Sequence, residues 1–126
     1  MATRLRRTDA VNEPRIVLLG ATAGLFHTIL DPLVTAVLVY RFGGYERNPL
    51  MRWGLREGPV MFALLQVPVI LLTMFAIGGI LYCIRASDPR WTGRLGTAAE
   101  VLFTLGILWG LWLIGGNILR FLSVYT

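Results

Sequence analysis

Two groups of residues in this chain have the types and spacing to do chemistry. The first is His27, Asp31 and Thr35. Successive steps of four residues put all three on one face of a helix. A His and an Asp at that spacing suit a pair of metal ligands or a coupled proton relay. The second is Glu46, Asn48 and Pro49. Glu46 supplies another carboxylate, and Asn48 followed by Pro49 is the pattern of a helix N-cap and first helical position. A metal site would have to be built from His27, Asp31 and Glu46. One His, a single Cys83 and no second-His motif argue against a metal, and no cofactor is expected. No catalytic triad, phosphate loop or paired-carboxylate pattern is present, so the balance falls against an enzyme.

The elements that carry these residues follow from hydropathy. The chain has 126 residues, 56% of them hydrophobic, with mean hydropathy +0.66. That is too apolar for a soluble domain of this length. Apolar runs cover residues 16–42, 59–84 and 98–122. Each exceeds the ~20 residues a helix needs to cross a ~30 Å hydrocarbon layer. None alternates polar and apolar faces, so helices are expected and not barrel strands. The predicted fold is an all-α integral membrane domain over residues 16–126, with a basic tail at residues 1–15. It has three transmembrane helices and a short interfacial helix in the first loop. The first apolar stretch continues well past Ala21-Thr22-Ala23, so it reads as a membrane helix and not as a cleaved signal.

Asp31 then falls near the middle of a bilayer-spanning segment, where a carboxylate costs ~2.5–3.5 kcal/mol on insertion scales. The remaining polar residues read as compensation. Gly20 and Gly24 extend the stripe of His27, Asp31 and Thr35 and allow close approach of another helix. Gly106 and Gly110 do the same in the third run, on the stripe of Asn117. Aligning the runs by depth sets Thr35, Gln66 and Asn117 in one layer, with Asp31 one turn deeper. Pro32 predicts a kink, or a fresh half-helix capped by Asp31. Pro68 predicts a second kink, Gly78-Gly79 a close-approach surface, and Glu100 an anion in the first turn of the third helix. In the interfacial helix Leu50, Met51, Gly54 and Leu55 form one face, with Arg52 and Arg56 on the other and Trp53 at the headgroups. Cys83 reads as a small buried hydrophobe. Trp109 and Trp112 read as packing or lipid-facing bulk.

Net charge is +5, carried by twelve Arg and no Lys, with a pI near 10.4. These Arg residues sit in the tail, loops and helix ends, which points to anionic lipid headgroups and not to nucleic acid. Seven lie in the tail and second loop and five in the first loop and C-terminus. That bias predicts a multi-pass protein of the cell membrane with a cytoplasmic N-terminus.

The series Asp31-x-x-x-Thr35, then Gly43-Gly44-Tyr45-Glu46-Arg47-Asn48-Pro49, then a late Asn117, resembles a family of small three-helix prokaryotic membrane proteins. Archaea and some bacteria carry them, and the family is known as a domain of unknown function. The resemblance covers nearly the whole chain and implies the three-helix fold, with no activity attached. Members tend to carry a Lys in the second helix within reach of the Asp, where this chain has Gln66. The expected role is structural: an accessory subunit of a membrane complex or a homo-oligomer, with a buried polar cluster of His27, Asp31, Thr35, Gln66 and Asn117. The alternative is a small transporter or membrane-embedded enzyme using Asp31, His27 and Glu46 as a proton or metal site.

Overall fold

The computed structural model describes residues 11–125, without the side chain of Tyr125. Arg4, Arg6 and Arg7 of the expected basic tail lie outside the described residues. Those described form five α-helices and one π-helical turn: α1 (Glu13–Leu25), the turn (Phe26–Leu30), α2 (Asp31–Phe42), α3 (Pro49–Glu57), α4 (Pro59–Ala86) and α5 (Pro89–Tyr125). α1, the π turn and α2 form one continuous helical path. Three helical stretches, Glu13–Phe42, Pro59–Ala86 and Pro89–Val124, are long and apolar enough to cross a membrane.

The caps explain where the helices begin. Asn12 accepts the Arg15 N–H at α1, and Asn48 accepts those of Leu50 and Met51 at α3. In both, a proline follows within two positions, where its missing N–H costs nothing. α5 begins nine residues before the expected position. Asp88 and Pro89 act as cap and first residue, with Asp88 Oδ1 accepting the Arg90 N–H. Hydropathy alone missed this start because residues 89–97 are helical but polar. Glu100 is therefore not in the first turn; it lies further along α5 and pairs with Arg15 at 3.4 Å.

The break predicted at Asp31-Pro32 is absent. Leu30 and Asp31 both have right-handed helical angles, so Asp31 caps nothing. Instead the preceding turn widens, and the Asp31 N–H reaches back five residues to the Phe26 carbonyl. The wider turn makes room for the Pro32 ring, which would clash with the Thr28 carbonyl in a regular α-helix. α4 runs unbroken through Pro68, which stands on its outer face. Gly78 and Gly79 face open space and form no close-approach surface, because α4 meets its neighbours through Ile77, Ile80 and Ile84 on the opposite side. Cys83 is exposed on the outer face as well.

Packing is tightest where the N-terminus of α1 meets the α4–α5 connection. Ile16, Ile84 and Ala99 are almost fully buried there, with Val11, Leu81 and Phe103 packed around them. Two ion pairs join the helices at this end: Glu13 to Arg85, with bonds of 2.9 and 2.7 Å, and Arg15 to Glu100. α1 is thus fastened to both other long helices. Along the rest of the molecule large apolar side chains face outward, among them Leu72, Phe75, Leu102, Trp109 and Trp112. The two tryptophans stack with centroids 5.0 Å apart.

Five hydroxyls on these apolar helices are satisfied locally. Thr22, Thr28, Thr73, Thr97 and Thr104 each donate to the backbone carbonyl four residues earlier. Such internal bonding suits a segment with no water around it.

Candidate functional site

α1 and α5 approach closely at the π turn. A methyl group at Gly110 would lie 2.8 Å from Phe26 Cβ, so only glycine fits there without a shift. The His27 ring occupies the same contact, and its Nε2–H donates to the Gly106 carbonyl at 2.8 Å. Gly20 faces Ile77 and Phe103, whereas Gly24 faces Thr73 of α4. The small-residue stripe of helix 1 thus divides between two partners.

One turn beyond His27, Asp31 faces α5, and Asn117 Nδ2–H donates to Asp31 Oδ1 at 3.4 Å. Next to this pair α2 and α5 border a cleft of about 630 Å³. Asp31, Thr35 and Asn117 line it along the helices, and Glu46 and Arg47 line it from the loop at residues 43–48. Phe42 and Phe121 contribute its outer wall, their rings 4.4 Å apart at 56°.

The loop that brings Glu46 to the cleft is held by its own polar groups. Gly43 takes a left-handed turn (φ 67°), which lets the N–H groups of Gly43 and Gly44 reach the carbonyls of Val39 and Leu38. Glu46 Oε1 accepts the Asn48 N–H at 2.7 Å. Arg52 does not point outward as its place in the helical pattern suggested. It folds back to donate to the carbonyls of Glu46 and Arg47 and lies over the Tyr45 ring at 4.5 Å. The loop carbonyls have no helical partner, and the guanidinium supplies donors for them. Tyr40 fastens α3 to α2 by donating its hydroxyl to the Leu55 carbonyl at 2.7 Å. That carbonyl would otherwise bond the N–H of residue 59, which is a proline and has none.

Gln66 is not in this cluster. It is buried on the opposite side of α2, where its Nε2–H donates to Met51 Sδ at 3.3 Å and to the Phe62 carbonyl at 3.4 Å. Matching helices by depth does not fix the direction of each side chain. α3 folds under the loop, delivers Met51 and occupies the Gln66 amide. Gly54 and Leu55 are buried in this packing, while Leu50, expected on the same face, is exposed. Gln66 lines a second, mainly apolar crevice of about 540 Å³ between α2 and α4.

Among the described residues no three His, Cys, Asp or Glu side chains gather as a metal-binding group. His27 spends Nε2 on Gly106, and Glu46 spends one oxygen on the Asn48 N–H. Sequence reasoning did not place Arg47 and Arg120 in the cleft. Arg120 follows Asn117 by three residues, a helical spacing that carried the signal.

Three long apolar helices, with a polar cleft among the described residues, define an all-helical protein able to cross a membrane three times. Residues 22–116 match the family described as "Domain of unknown function (DUF5658)", and the chain belongs to that family. No curated protein and no solved structure matches the chain.

Proposed function

We propose that this chain is a small integral membrane protein of structural or accessory-subunit type, organised around the polar residues at Asp31. The observation that carries this reading is the distribution of its side chains. Apolar residues cover the outer surfaces of all three long helices, and helix hydroxyls bond their own backbone. In water such a surface would drive aggregation; against acyl chains it is the stable arrangement. α3, with Arg56 and Trp53 exposed, lies at the headgroups in this reading, and the Arg residues at both ends meet anionic lipid. The N-terminus is cytoplasmic, the protein sits in the cell membrane of an archaeon or bacterium, and it works as a homo-oligomer or a subunit of a membrane complex. The Asp31-x-x-x-Thr35 and Glu46-x-Asn48-Pro49 series is the family's signature.

A second reading, a small transporter or membrane-embedded enzyme, is favoured by one feature: the carboxylates Asp31 and Glu46 line one open cleft. In that reading His27, one turn from Asp31 and outside the lining of the cleft, would be the third member of a proton or metal site.

Alkaline carbonate extraction tests the first reading, and the chain is expected to remain in the membrane pellet. Arg47→Cys in a Cys83→Ser background should react with an impermeant thiol reagent added outside intact cells. Release by carbonate overturns the membrane assignment, and labelling only after lysis reverses the topology.

A further inference from the structure

We infer that the cleft between α2, the 43–48 loop and the end of α5 binds a zwitterion in which a primary ammonium is joined to a phosphate by a short spacer. This is the chemistry of an ethanolamine lipid headgroup and of free phosphoethanolamine. The inference rests on the membrane reading above.

The inner end of the cleft carries three acceptor oxygens to which no group among the described residues donates. Thr22, Thr28, Thr73, Thr92, Thr97 and Thr104 all bond a carbonyl four residues back; Thr35 does not. Its hydroxyl oxygen, Asp31 Oδ2 and Asn117 Oδ1 have no donor among the described residues, and all three residues line the cleft. An ammonium carries three N–H donors and no acceptor, which matches them.

The outer end has the opposite character. Arg47 and Arg120 line it, and their guanidinium groups make no ion pair among the described residues. Guanidinium binds phosphate through paired N–H donors. Arg120 stands three residues past Asn117, ~4.5 Å nearer the mouth along the helix. Two carboxylates, Asp31 and Glu46, and two guanidiniums balance in sign, which favours a zwitterion over a simple cation or anion. Leu38, Phe42, Leu113 and Phe121 give the cleft an apolar wall suited to an acyl chain. Its volume falls within the ~300–1,000 Å³ common for small-molecule sites.

The test uses the full chain purified in detergent. Its thermal midpoint is followed as dihexanoyl phosphatidylethanolamine, dihexanoyl phosphatidylglycerol or phosphoethanolamine is titrated in. The ethanolamine lipid should raise the midpoint, whereas the glycerol lipid, which lacks an ammonium, should not. Asp31→Asn keeps the acceptor for Asn117 but loses the charge, and should weaken the apparent affinity at least tenfold. Arg120→Gln should do the same. Thr35→Val, which removes no charge, serves if Asp31→Asn fails to fold. A response to free phosphoethanolamine marks a soluble ligand, and a response to the lipid alone marks the bilayer as its source. Equal responses to the two lipids, or unchanged affinity in the folded variants, overturn the inference. If carbonate leaves the chain in the membrane and no headgroup preference appears, the ligand assignment alone falls. If carbonate releases the chain, the membrane reading has failed first.

Discussion

The contact between α1 and α5 makes a graded prediction for glycine substitutions. Gly106 and Gly110 look alike as a small-residue pair, but their surroundings differ. A Cβ at Gly110 would sit 2.8 Å from Phe26 Cβ and 3.4 Å from His27 Nε2. Phe26 Cβ is the stem of its side chain and cannot rotate away, so the helices themselves must part. At Gly106 the nearest atom is Ala23 Cβ at 3.5 Å, an ordinary contact, and at Gly116 nothing lies within 4 Å. Overpacking typically costs ~1–3 kcal/mol. Parting the helices also weakens the His27–Gly106 bond, and interhelical bonds in membranes average ~0.6 kcal/mol. Replacing glycine by alanine returns up to ~1 kcal/mol of helix propensity. Gly110→Ala should therefore destabilise by ~0.5–2.5 kcal/mol. Gly106→Ala should be near neutral, and Gly116→Ala neutral or stabilising by up to ~1 kcal/mol. Reversible unfolding in mixed micelles, followed by tryptophan fluorescence, measures all three. If Gly110→Ala costs no more than Gly116→Ala, helix contact at the π turn is not what holds this bundle together.

Three further substitutions probe the ends of the helices. Tyr40→Phe leaves the Leu55 carbonyl without its donor and should cost ~1–3 kcal/mol of the same unfolding free energy. Asn48→Ala removes the cap of α3 and should cost ~1 kcal/mol, whereas Asn48→Asp should cost little. The Arg90 side chain and N–H beside Asp88 hold that carboxyl below its ordinary value. Its contribution to stability is therefore complete above the unfolded value of ~3.9 and fades as pH falls through the lower folded value. A pH titration of helical circular dichroism should show this fading in the wild type and a flatter acid limb in Asp88→Asn; identical limbs would refute the role of the cap.

What the sequence revealed and what it hid divide along a physical line. Hydropathy over a long window found the three apolar runs, since each keeps a high mean hydropathy despite its few polar residues. Cap chemistry is local, so Asn48-Pro49 located α3 to the residue. The same chemistry at Asp88-Pro89 was available but was overruled by hydropathy, and the start of α5 was misplaced. Gln66 was assigned to the wrong side, because sequence spacing does not fix the direction in which a helix faces its neighbours. The Glu13–Arg85 and Arg15–Glu100 pairs join residues far apart in the chain. Nothing within either segment announces its partner.

The π turn has a consequence for how this chain can vary. It absorbs one extra residue between Gly24 and Asp31, so everything after it keeps the phase of a regular helix one residue shorter. Drawing Phe26–Leu30 into a regular α-helix at constant length would swing Asp31 and Thr35 by ~100° around the axis, whereas removing one of its residues would leave them in phase. In the first case the carboxylate would leave Asn117 and point elsewhere, although no side chain of the site had been altered. A change that tightens this turn is therefore a lesion of the cleft some distance away from it.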